Sequence, residues 1–375
     1  MSIQSELKKD GIEVTKQLNP VTVNALAKGI SEKICNTFPN FKLNQADLFL
    51  KLCKLNMYLA KMPDGMAEAN YFYKNTSIYF NEKIDLNDIE EFAIHECIHY
   101  LQEVKDEENT LLKMGLCDYN NGTPYGLGLN EAAVQLMSAR IIGIPKEYVK
   151  YFGISFETNS PSYYPLECCL INQLAYLIGE DVLFKSTLYS DDNFKSKLSN
   201  IIGSKSYNII QNSIDAILNK EEEIIVLTNK IFELGSNSPI IANYRRKIEE
   251  LKNEITLTFM RTQNLIISSY FDNEFNRISN LEQVENYRKK LYQFKIYLGD
   301  TDSYTFFNEY YIKKMDNLER LYLSMESEKF KNSAIPTIIK KNNFLELLNK
   351  IKLFFNKIIG TNKKYEKEVY KHKCN

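Results

Sequence analysis

The 375 residues include only three histidines, and two of them, His95 and His99, lie in the stretch EEFAIHECIHYLQEV with Glu96 beside the first. Imidazoles and carboxylates are the side chains that hold zinc and move protons. At this chain's own His and Glu frequencies, H-E-x-x-H arises by accident in on the order of one chain in 500. Positions i and i+4 of a helix are surface neighbours, so both rings can reach one ion. The bland alternative is a helix that carries two histidines in its packing or at its surface.

Two histidines do not complete a catalytic zinc site, which takes three protein ligands and keeps one position for water. The remaining histidine, His372, sits three residues from the end of the sequence given, in a basic segment. A carboxylate is therefore expected as the third ligand. Glu131 is the candidate, at the start of the next helix in LNEAAVQ, where Ala132 and Ala133 let that helix approach closely. Asp118, in the intervening segment, is the runner-up. The alternative for Glu131 is a solvated first-turn glutamate favoured by the helix dipole.

His95-Glu96-x-x-His99 on one helix, followed by Asn130-Glu131 opening a second, resembles the gluzincin branch of the zincin metallopeptidases. The resemblance covers residues 66 to 143, about a fifth of the chain. It implies zinc held by His95, His99 and Glu131, with Glu96 as general base. It also implies a His or Tyr that stabilises the tetrahedral oxyanion, and with no histidine to spare, Tyr163 and Tyr164 before Pro165 are the candidates, with Tyr164 taken as the site residue. Two departures stand out. The gap from His99 to Glu131 is longer than in thermolysin-like members, and the position four after the glutamate, often an Asp, is Gln135. Its amide oxygen can still accept a hydrogen bond from a ligand histidine, without adding charge. The function implied is zinc-dependent hydrolysis of peptide bonds in a peptide or protein. The alternative is a helical interaction or scaffold protein whose zinc site is structural or catalytically inactive.

The elements that must position these residues follow from pattern. Residues 20 to 60 read as helices, the first capped by Asn19 with Pro20 in its first turn, the second running through Leu48, Leu52, Leu55 and Leu59. AEANYFYKNTSIYFN alternates and breaks at Lys74-Asn75, which predicts a β-hairpin or two short strands, in the place where zincins run an edge strand. Asn87 followed by Glu90 reads as a capping box for a helix over 88–104. Asn120-Asn121-Gly122-Thr123-Pro124, then Gly126 and Gly128, predict a loop over 118–128. A helix over 129–142 is stopped by Gly143 and Pro145. Two or three further helices are expected over 165–218.

The expected fold is α+β and predominantly α-helical, with a zincin-like domain over 1–218. A coiled-coil-like helical bundle follows over 219–330, with stripes such as Tyr244, Ile248, Leu251 and Ile255. Residues 331–375 carry 11 Lys against 3 Glu, a local charge of +8. This basic amphipathic tail suits a solvated helix, an anionic membrane surface or a protein partner. The net charge of -1 gives no reason to expect nucleic acid as a partner. Seven scattered cysteines, the absence of an apolar leader at the start and the lack of a long apolar run predict free thiols and a cytoplasmic location. Cys97, at i+2 from His95, faces away from it and is expected in the core.

Overall fold

The structure is a computed structural model; it describes residues 3–9, 11–63, 67–85, 88–234, 240–299 and 305–332. The chain is α+β and mainly helical. Strands β1 (Glu13–Gln17), β2 (Asn56–Lys61), β3 (Ala69–Phe72) and β4 (Ser77–Asn81) form one sheet in the order β1-β2-β4-β3. β2 and β4 run parallel, and β3 returns antiparallel to β4 as an edge strand. The Lys74-Asn75 break lies in the turn between β3 and β4.

Helix α1 (Ile3–Lys9) precedes the sheet, and α2 (Pro20–Thr37) begins as read, with the Asn19 side chain accepting from the Thr22 N–H at 2.9 Å. The second expected helix is corrected. α3 (Gln45–Leu52) ends before Leu55, and residues 56–61 form β2. The i, i+4 spacing of leucines runs through this point, but pairing to β1 on one side and β4 on the other makes the stretch a strand, with Met57 and Ala60 in the core.

Helix α4 (Ile89–Gln102) carries the two histidines. Asn87, the expected cap, lies outside the described residues, and Asp88 occupies the N-cap without a side-chain cap bond. Nearly every face of α4 is buried, with Ala93, Ile94, Cys97 and Ile98 inaccessible to solvent. A helix covered on all sides is held by its neighbours more than by propensity. Residues 103–125, expected in part as a loop, form a four-stranded antiparallel meander of β5 (Glu103–Lys105), β6 (Leu111–Met114), β7 (Cys117–Asn120) and β8 (Thr123–Tyr125). Its turn is Asn121-Gly122, both left-handed, where turn chemistry was read correctly and the flanking strands were not.

Helix α5 (Leu127–Ile142) ends at Gly143 in the left-handed conformation, as its sequence predicts. A hairpin of β9 (Glu147–Tyr151) and β10 (Ile154–Thr158), which the sequence reading missed, leads to α6 (Pro165–Ile178), α7 (Glu180–Tyr189) and α8 (Asn193–Ile202). Two long helices follow, α9 (Ser204–Leu234) and α10 (Ile240–Asn276). Ion pairs Lys220–Glu254 and Glu223–Lys247, with Leu227 packed on Ile248 and Leu251, make them an antiparallel pair. Position 218, the expected domain boundary, falls inside α9. α11 (Leu281–Leu298) and α12 (Thr305–Asn332) complete the described helices.

Of the described residues, those within 3–279 and 285–315 form one compact unit, and those within 280–284 and 316–332 belong to another. Within the first, Phe271 packs on Tyr287 and Phe294, and Phe294 on Phe307. In the second, Tyr322 donates to Glu326 within α12. The expected basic tail lies, beyond Asn332, outside the described residues. No helix among the described residues is long and apolar enough to cross a membrane.

Candidate metal centre

α4 and α5 pack side by side, and a buried amide network sets their register. Asn130 is fully buried; its Oδ1 accepts from the Leu116 N–H at 3.0 Å and its Nδ2 donates to Gln102 Oε1 at 3.3 Å. Gln102, in the last turn of α4, also donates to the Thr187 carbonyl at 2.8 Å. The first turn of α5 has no cap of its own. Asp215 on α9 supplies one, accepting from the N–H groups of Gly126 at 2.7 Å and Gly128 at 2.9 Å. Gly126 needs its left-handed φ of 85° to enter the helix. At Gly128 a Cβ would stand 3.0 Å from the Ile214 carbonyl oxygen, so glycine permits the close approach of α5 to α9.

This frame brings Glu131 over α4. His95 Nε2 and His99 Nε2 are 3.0 Å apart, and each lies 3.3 Å from Glu131 Oε2. The three atoms form a nearly equilateral triangle. A tetrahedral zinc with bonds of 2.0–2.1 Å places neighbouring ligand atoms about 3.3 Å apart. The donor set and spacing therefore fit zinc with one position left open. His95, His99 and Glu131 side chains are 13%, 6% and 16% exposed, so the triangle has one accessible side.

His95 Nδ1 lies 3.0 Å from Gln135 Oε1. The amide oxygen accepts, so Nδ1 carries the hydrogen and Nε2 presents its lone pair to the triangle. His99 Nδ1 is buried with no hydrogen-bond partner of ordinary geometry, although the nearby Gln102 side chain raises this ring's pKa. Burial pulls the His99 pKa down, but the charge and hydrogen bond of Glu131 outweigh it and push it up to about 9. Burial would raise the Glu131 pKa, yet His99 and His95 hold it well below the ordinary carboxylate range.

Glu96, 9% exposed, turns its Oε2 to the Tyr71 N–H of edge strand β3 at 2.7 Å. Its Oε1 has no hydrogen-bond partner among the described residues. Tyr164 caps α6 with a left-handed φ of 50°, an uncommon state for an aromatic residue and one that concentrates at functional sites. Its ring lies 6.4 Å from that of His95. Burial, then the charges of Glu131 and Glu96, push its pKa well above the ordinary phenol value, so it stays a donor at neutral pH.

Among the described residues, His95, His99 and Glu131 are the group of three whose ligand atoms converge within 4.8 Å. Glu96, Gln135 and Tyr164 join them. Asp118 does not, because its oxygens pair with Lys113 at 3.4 Å and Lys195 at 3.1 Å. Cys97 is fully buried. Tyr163 lines the adjacent cleft. No family model matches the chain, no curated protein matches its sequence, and no solved structure matches its fold. The sequence reading missed Asp215 and Gln102. Asp215 is 84 positions beyond Glu131 and carried no local signal, whereas Gln102 could have been suspected as a polar residue on the apolar stripe of α4.

Proposed function

We propose that this protein is a zinc-dependent peptidase of the zincin type, acting on a peptide or protein in a reducing compartment such as the cytoplasm. The observation that carries the reading is the triangle of His95 Nε2, His99 Nε2 and Glu131 Oε2, with an unpartnered oxygen of Glu96 beside it. Supporting it are the Gln135 contact to His95, the placement of Tyr164, and a cleft that opens on His95 and Glu96. The described cysteines are free.

Zinc held by the three ligands would act as a Lewis acid on the scissile carbonyl and lower the pKa of a bound water from 15.7 to about 7. The chain's own residues do the rest. Glu96 Oε1 takes a proton from the attacking water, while the Tyr71 N–H keeps Oε2 fixed. The same carboxyl then gives that proton to the leaving amine nitrogen as the C–N bond breaks. The Tyr164 hydroxyl donates to the carbonyl oxygen as negative charge builds on it. Edge strand β3 lies antiparallel to β4 and runs beside Glu96 through that Tyr71 contact.

The test compares zinc-loaded wild type with Glu96→Gln on a peptide library. Glu96→Gln is expected to keep zinc and thermal stability and to lose about 10²- to 10⁴-fold in hydrolysis. A wild type that binds zinc and cleaves nothing would leave the scaffold reading in its place.

A further inference from the structure

The cleft beside the triangle has a distinctive wall. It runs from the β3 edge past the first turns of α4 and the second half of α5 to the segment before α6. Its cavity volume is about 160 Å³. That is close to the size that admits one benzene-sized group, so it takes a single side chain and not a folded surface. His95 and Glu96 form its inner end.

Two carboxylates besides Glu96 line it, Glu68 just before β3 and Glu91 in the first turn of α4. Neither has an ion-pair partner among the described residues, although the neighbouring Glu90 is paired with Lys33 at 2.7 Å. Among the described residues, no lysine or arginine lines the cleft. Burial, then the charges of Glu68 and Glu91 together, raise the pKa of the Tyr163 hydroxyl, another lining group, so both carboxylates act on the same volume. Phe92, Ile142 and Ile144 add apolar surface to the same lining.

A partly apolar cleft that also carries carboxylates without ion-pair partners matches a long aliphatic stem with a cationic head. We propose that this cleft is a substrate subsite that takes a lysine or arginine side chain adjacent to the scissile bond, with Glu68 and Glu91 determining that specificity. The acidic pair alone would not define a site. What makes it one is its position on the cavity that the free oxygen of Glu96 and the ligand histidine share. The inference rests on the peptidase reading for its scissile bond, but the binding preference is measurable without turnover.

The experiment uses the zinc-treated full chain carrying Glu96→Gln, which prevents turnover, and two capped hexapeptides that differ only in one central residue, lysine or norleucine. Calorimetry is expected to show the lysine peptide binding at least about tenfold more tightly. Adding Glu68→Gln and Glu91→Gln should bring the two peptides to equal affinity, with the norleucine peptide and the melting temperature unchanged. In parallel, cleavage of a peptide library by a chain with native Glu96 should concentrate beside Lys and Arg, and Glu91→Lys should shift it toward Glu and Asp. Equal affinity for the two peptides in the first protein, or no binding of the lysine peptide, would overturn the subsite. So would a lysine preference that survives loss of both carboxylates. If lysine selectivity is present and depends on Glu68 and Glu91 while the chain with native Glu96 cleaves nothing, the subsite stands and the peptidase reading falls.

Discussion

At the scale of single residues, the second contacts of the ligands separate a metal centre from a chance cluster. Gln135 holds the His95 ring through Nδ1 at 3.0 Å. Removing such a partner typically costs 10- to 100-fold in metal affinity. Gln135→Leu is therefore expected to weaken zinc by about that factor in competition with a chelator, and unchanged affinity would make Gln135 a bystander. Tyr164 is assigned a different role, as a donor to the developing oxyanion. Tyr164→Phe should keep zinc and KM while kcat falls by roughly 10²- to 10³-fold, the usual cost of a lost oxyanion donor; a change confined to KM would move Tyr164 from chemistry to binding. His95, Glu96 and His99 were legible because the chain is nearly free of histidine and the spacing is helical. Glu131 was legible from the need for a third ligand. The contacts among them were not, since they depend on how two helices with 24 residues between them, α4 and α5, are packed.

At the scale of elements, the periodic helices α4 and α5 could be read, whereas strands settled by distant partners could not. β2 kept a helical spacing of leucines and was claimed by β1 and β4. A second feature invisible in the sequence joins α6 to α9. Glu167 is fully buried on α6, and its pKa is raised well above the ordinary value by burial and then by the charge of Glu221 on α9. Burial pushes Glu221 itself from 4.5 up to about 7, against the opposing influence of the neighbouring Glu167 and Tyr151 side chains. The folded chain thus keeps a proton that the unfolded chain releases. This stabilisation is complete below about pH 4.5, declines as pH rises from there, and is lost once pH passes about 7. Glu221→Gln should remove one proton's share of that slope, about 1.4 kcal/mol per pH unit. Urea unfolding across the window measures it, and an unaltered slope would mean that Glu221 ionises normally in the fold.

At the scale of the whole molecule, the expected boundary at 218 met a continuous helix. Amphipathic stripes identify a helix but not the domain whose core it completes. The first half of α9 supplies Asp215 to the start of α5, and its second half supplies Glu221 to α6 and Leu227 to α10. α10 in turn covers the β9–β10 hairpin, with Phe259 stacked on Phe156 at 6.1 Å and the Thr256 hydroxyl donating to the Phe152 carbonyl at 3.0 Å. A chain ending at Leu218 is accordingly expected to lose its cooperative melting transition and stoichiometric zinc. A sharp transition with zinc retained in that fragment would show that the α9–α10 pair is dispensable to the core.

The central claim is that His95, His99 and Glu131 hold one zinc with a position left open. X-ray absorption at the zinc edge, on the full chain purified, reconstituted and freed of excess metal, tests it most directly. The account predicts one zinc per chain in a shell of nitrogen and oxygen only, with bonds of about 2.0–2.1 Å, and loss of that zinc in Glu131→Ala. A chain without stoichiometric zinc, a shell containing sulfur, or a bound zinc undisturbed by Glu131→Ala would contradict it.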